Sequence, residues 1–256
     1  MDAPEYLHYI ARDGAALATA AEGGLDASVP TCPGWTVRDL VAHTGVVHRH
    51  KERIVREAWL GSMPEPVEAP AADLLGWYRE GLRALVDTLA SRDPAEPCAT
   101  WFPGDETVGF WYRRMAHETA VHRVDAELAF GTSVPVDTAL AADGVDELLG
   151  VMIVDAPPWA AMTEGSALLE LATTDADASW TLREMTWSGV SPGGMSYEEE
   201  PGYVFSENLA ADAALSGSAS DLLLFGWGRN GDERLVLDGD PAFVARFHRV
   251  AREATR

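Results

Sequence analysis

WYRRMAHETAVHRVDAE, residues 111–127, carries His117, Glu118 and His122 in a run without a helix breaker, and its reading decides the fold. At first sight it resembles the zincin protease signature H-E-x-x-H, in which two histidines four apart face one metal. Here the histidines are five apart, so on a helix they point about 140° away from one another. The protease reading fails on that geometry. Glu118 and His122 are separated by four and stack on one face. A carboxylate and an imidazole one turn apart can share a divalent metal. Two ligands make a weak site, so a third is sought on another helix. His43 is the candidate, set in DLVAHTG among Leu40, Val41, Val46 and Val47, an apolar setting that turns the imidazole toward a bundle interior. Two histidines and one carboxylate leave open coordination positions, the pattern of a catalytic metal. The competing reading is a surface pair or a hydrogen-bonded core histidine.

Working outward, the pattern predicts a helix over about 107–130, stopped by Gly131. Further helices are read over 3–22, from Thr36 to about Leu60, over 71–91 and, shorter, over 137–154. Thr36 and Asp39 have the spacing of a capping box. Four long helices that can lie side by side predict a bundle. After Ala156–Trp159 the pattern changes. Ala167–Leu171 and Ser179–Trp187 read as strands, and 190–202 as a flexible loop. Ser218 and Asp221 open a short helix in DLLLFGWGR, and RLVLDG is a strand. Asp240–Pro241 opens a last helix through about Ala251. The fold class is therefore α+β, with a helical domain over 1–157 and a small α/β domain over 158–256.

The 256 residues include 47% hydrophobic and 23% charged side chains, ordinary values for a folded chain with a sizeable core. A net charge of -22 repels phosphate backbones and anionic lipids, which argues against nucleic-acid and membrane roles. No apolar run approaches the roughly 20 residues needed to cross a bilayer, and the acidic N-terminus does not read as a secretory signal. Cys32 and Cys98 are too few for a disulfide framework, so the cytoplasm is the expected compartment. Cys32 reads as a packing residue, His48 and His50 as part of a solvated charged face, and His117 as turned away from the metal pair. Lys51 is the only lysine, and the abundance of alanine and arginine reflects a GC-rich coding bias.

VPTCPGWTVRDLVAHTGVVHRH (29–50) and FWYRRMAHETAVHRVDAELAFG (110–131) together resemble the two signatures of the mycothiol-dependent maleylpyruvate isomerase family, a branch of the DinB-like metalloproteins. SGSASDLLLFGWGR (216–229) and LVLDGDPAFVARF (235–247) are similar to its tail, so the resemblance covers nearly the whole chain. It implies a DinB-like four-helix bundle followed by a small sterol-carrier-like α/β domain. It also implies a divalent metal, usually zinc, on His43, Glu118 and His122, and mycothiol as the thiol of an actinobacterial host.

By the same resemblance, an open metal position would lower the pKa of the cofactor's sulfur and keep it as thiolate. The thiolate would add to an activated double bond. In an isomerase, rotation and elimination would follow; in an S-transferase, the adduct would be released. Arg229 is a candidate anchor for a substrate carboxylate across the domain interface, against helix C-capping or a surface ion pair. Arg114, one turn before Glu118, is a candidate to orient that carboxylate. Two other functions stay open: a metal-dependent hydrolase using bound water, and a non-catalytic metal- or small-ligand-binding protein. The trio also accepts nickel, iron or manganese. Monomer and homodimer are both compatible with the sequence.

Overall fold

The computed structural model describes residues 1–154, 156–207 and 210–255. The chain forms two compact units, Met1–Val136 and Asp137–Arg256. The sequence reading puts the domain change near residue 157. The short helix after Val136, read there with the first domain, instead packs within the second unit.

The first unit holds four helices: α1 (Ala3–Ala21), α2 (Val37–Arg56), α3 (Leu74–Ala90) and α4 (Val108–Leu128). Their starts follow from local chemistry. Asp2 with Glu5, and Thr36 with Asp39, form complete capping boxes that satisfy free first-turn N–H groups. Asp73 caps α3 by accepting from the Gly76 N–H. α2 ends at Arg56 rather than near Leu60, and Ala58 just beyond it has a left-handed backbone. α4 packs against α1 and α2, and 16 of its 21 residues are buried. It is the most buried helix of the unit, so its many polar side chains need partners inside the protein.

In the second unit, α5 (Thr138–Glu147) runs into a π-helical turn, Leu148–Ile153. A mixed five-stranded sheet follows, in the order β3–β2–β1–β4–β5. Its strands are β1 (Ala161–Thr173), β2 (Ser179–Val190), β3 (Ser196–Phe205), β4 (Ala213–Gly217) and β5 (Val236–Gly239). β1 is antiparallel to β2 and parallel to β4. α6 (Ala219–Gly226) and α7 (Pro241–Ala254) complete the unit, each capped as its sequence predicts by Ser218 and Asp240. Leu169, Leu182, Tyr203, Leu215, Leu223, Phe243 and Phe247 are buried there.

The segment 190–202, read as a flexible loop, contributes most of β3. It is an edge strand in which Pro201 needs no ladder partner for a missing N–H. β1 begins six residues before Ala167, in a half whose side chains are exposed and show no apolar alternation.

Candidate metal centre

The Thr36 capping box fixes the start of α2 and so places His43 two turns into the helix. Glu118 and His122 face it from α4, one turn apart. The Glu118 Oε1 atom lies 3.3 Å from His43 Nε2 and 3.3 Å from His122 Nε2. One ligand atom from each of the three lies within 4.8 Å of the other two. The structure therefore brings together the trio singled out in the sequence. The side chains of Glu118 and His122 are 16% and 10% exposed, and that of His43 39%, so the centre opens to solvent on the His43 side.

The surroundings fix the orientation of each group. Arg114, buried on α4, donates through Nη2 to Glu118 Oε2 at 2.6 Å, leaving Oε1 for the histidines. The carboxylate of Asp125, fully buried, lies 2.9 Å from His122 Nδ1 and accepts the proton there. That turns Nε2 of His122 toward the centre, the arrangement commonly found behind metal-bound histidines. Asp125 is itself tied to the loop before α2. The Thr31 hydroxyl donates to Oδ1 at 2.5 Å, and the Cys32 thiol contacts Oδ2 at 3.6 Å. From the same loop the Trp35 ring lies 5.0 Å from the His43 ring, which meets the His122 ring nearly edge-on.

Charge follows the geometry. Burial by itself would raise the Glu118 carboxyl, but the imidazole of His122, hydrogen bonds from both histidines and the Arg114 guanidinium outweigh it. They hold Glu118 well below the ordinary carboxylate range. Burial opposes protonation of His122, yet Glu118 and Asp125 together raise it to about 9. Two imidazole nitrogens and one ionised carboxylate oxygen converging on a common space form a donor set suited to a divalent metal.

Other expectations change. His48 and His50, read as a solvated face, are buried. α2 is packed by both α3 and α4, which leaves it only a narrow solvent face. His48 Nε2 lies 2.9 Å from the Thr119 hydroxyl, and His50 donates through Nε2 to the Pro64 carbonyl. Cys32, read as a packing residue, is half-exposed. His117 is fully buried and meets Tyr6 of α1 edge-on, on a different side of α4 from the trio. Arg229 belongs to the second unit, where it donates to the Trp227 carbonyl at 2.7 Å. Sequence reasoning missed Asp125, although its spacing of three from His122 on one helix face is legible. Thr31 and Trp35 carry no such signal, because only the folded loop brings them to α4.

Comparisons with known proteins agree with this architecture. A family model described as the mycothiol maleylpyruvate isomerase N-terminal domain matches residues 7–127, and one described as the MDMPI C-terminal domain matches residues 139–246. Among solved structures, the crystal structure of the mycothiol-dependent maleylpyruvate isomerase superposes with a TM-score of 0.56 at 13% identity, covering 93% of each chain. A histidine-to-alanine mutant of that isomerase gives 0.57 at 12% identity over the same share. At such identity the likeness speaks for the fold. No curated protein matches the chain in sequence.

Proposed function

From the premise that this chain belongs to the mycothiol maleylpyruvate isomerase family, we propose that it is a metal-dependent enzyme using mycothiol as cofactor or co-substrate. In this reading it is an isomerase or S-transferase acting on a small electrophilic substrate that bears a carboxylate. The observation that carries the proposal is the convergence of His43, Glu118 and His122. These three would hold a divalent ion, zinc first among the candidates, which when bound supplies Lewis acidity and lowers the pKa of a thiol.

The chain's own residues do the rest. Asp125 holds the tautomer of His122 that presents Nε2 inward. Arg114 occupies Oε2 of Glu118 and keeps the carboxylate ionised in a largely buried setting. Trp35 covers the two histidines from the side of the loop. The partly exposed face of His43 leaves the way in for thiol and substrate.

The test is metal content by mass spectrometry for the wild type and a Glu118→Ala variant, followed by mycothiol titration and turnover with and without the thiol. About one metal per chain in the wild type only, with thiol-dependent turnover, is the expected result for a three-ligand site. Equal, negligible metal in both proteins would overturn the site. Turnover without thiol would make the protein a hydrolase using bound water. Bound metal with no turnover on a panel of electrophiles would make it a binding protein.

A further inference from the structure

Lys51 is the single lysine of the chain, and it stands on α2 eight residues after His43. Val47 lies between them, and at i, i+4 and i+8 all three side chains are partly exposed along one flank of the helix. Side chains on a helix lean toward its N-terminus, so the lysine stem reaches back toward His43 across a rise of about 12 Å. Its ammonium sits 4.8 Å from the centroid of the Trp111 ring on α4 and 3.0 Å from His50 Nδ1. The Nε2–H of His50 is committed to the Pro64 carbonyl, so Nδ1 is the acceptor and takes one of the three ammonium donors.

No carboxylate among the described residues forms an ion pair with Lys51; His50 and the indole face are its neighbours. Burial lowers its pKa to about 8, with the Glu118 charge acting against that shift and the Arg114 charge adding to it. The Arg114 guanidinium is already engaged by Glu118. A largely desolvated cation is thus left with two donors to spend, on the same partly exposed flank as the candidate metal ligand. In a chain of net charge -22, this is a local positive point beside the centre.

The geometry points to Lys51 as the receptor for a substrate carboxylate, at the other end of the flank that begins at His43. The ligand class is a small organic acid whose carboxylate lies several bonds from the carbon that reacts at the trio. This assignment rests on the function proposed above and adds the residue that would select anionic substrates. A merely structural lysine would keep its contact with Trp111 and ignore added carboxylates.

The single lysine makes the test direct. Protein labelled with carbon-13 at the lysine Cε gives one lysine resonance, which is followed while maleate is added at constant ionic strength, with acetate and chloride as controls. A saturable shift with maleate is expected. By calorimetry, Lys51→Met should bind maleate at least about tenfold more weakly while Lys51→Arg retains binding. A shift no different from that with chloride would overturn the assignment, as would wild-type maleate affinity in Lys51→Met. If Lys51→Met does not fold, as judged by circular dichroism, the wild-type titration and Lys51→Arg decide. Metal content is measured on the same samples. A saturable lysine response in protein that takes up no metal sinks the metal reading and keeps this one. A silent lysine in metal-loaded protein does the reverse.

Discussion

Asp125 Oδ2 and His122 Nδ1 lie 2.9 Å apart in the last turns of α4, and this pair decides which imidazole nitrogen faces Glu118. Replacing Asp125 by Asn keeps the shape and removes the charge. Asp125→Asn is expected to weaken metal binding about 10- to 100-fold, the usual effect of losing such a partner. Chelator competition at fixed pH measures it, and an unchanged affinity would show that the carboxylate does not orient the ligand.

Arg114 and Glu118 form a hydrogen-bonded ion pair whose side chains are 5% and 16% exposed. Arg114→Met leaves a mostly buried carboxylate with one partner fewer. The metal-free variant is expected to lose on the order of 3 kcal/mol, the range seen when one member of a buried pair is removed. Urea unfolding of metal-free protein reads this out. A loss below about 1 kcal/mol would mean that solvent already serves Glu118 Oε2.

His48 is fully buried, and burial foremost lowers its pKa from 6.5 to about 4, with Glu118 opposing and the other two histidines of the cluster adding to the shift. The folded state thus resists a proton that the unfolded chain accepts. Its contribution to stability is complete above pH 6.5 and is lost as pH falls from there through about 4. The full span amounts to roughly 3 kcal/mol. Unfolding free energies at pH 7.5 and 5 should diverge less in His48→Gln than in the wild type. An equal pH dependence in the two proteins would exclude His48 as a source of acid sensitivity.

Gly14 lets α1 approach α3 closely. A methyl group there would stand 2.6 and 2.7 Å from the two methyl carbons of Leu82. Alanine favours a helix over glycine by about 1 kcal/mol, but Leu82, only 7% exposed, must leave its position against α1 to admit the methyl group. Gly14→Ala is expected to destabilise by about 1–2 kcal/mol net, as overpacked cores do. Thermal unfolding at or above the wild-type midpoint would show that Leu82 repacks freely.

Particular residues show what was legible beforehand. Glu118 and His122 are one turn apart on any α-helix, so their shared face follows from spacing once α4 is recognised. The caps at Thr36, Ser218 and Asp240 are local contacts over three residues or fewer, and each forms where its sequence predicts. By contrast, β3 reads as a loop because Gly, Pro and three consecutive glutamates favour a turn over a strand. Its pairing comes from the neighbouring β2, a partner supplied from outside the segment.

The sequence by itself determined the helices of the first unit, the cap at Thr36 and the candidate trio, because those rest on periodicity and short-range hydrogen bonding. Only the tertiary structure decided that His48 and His50 are buried, that Asp125 stands behind His122, and that Lys51 lies between Trp111 and His50. The physical reason is that a helix pattern states which residues share a face but not which neighbour covers it. Burial, and with it every pKa in the centre, depends on where α3 and α4 pack against α2 and where the loop before α2 settles.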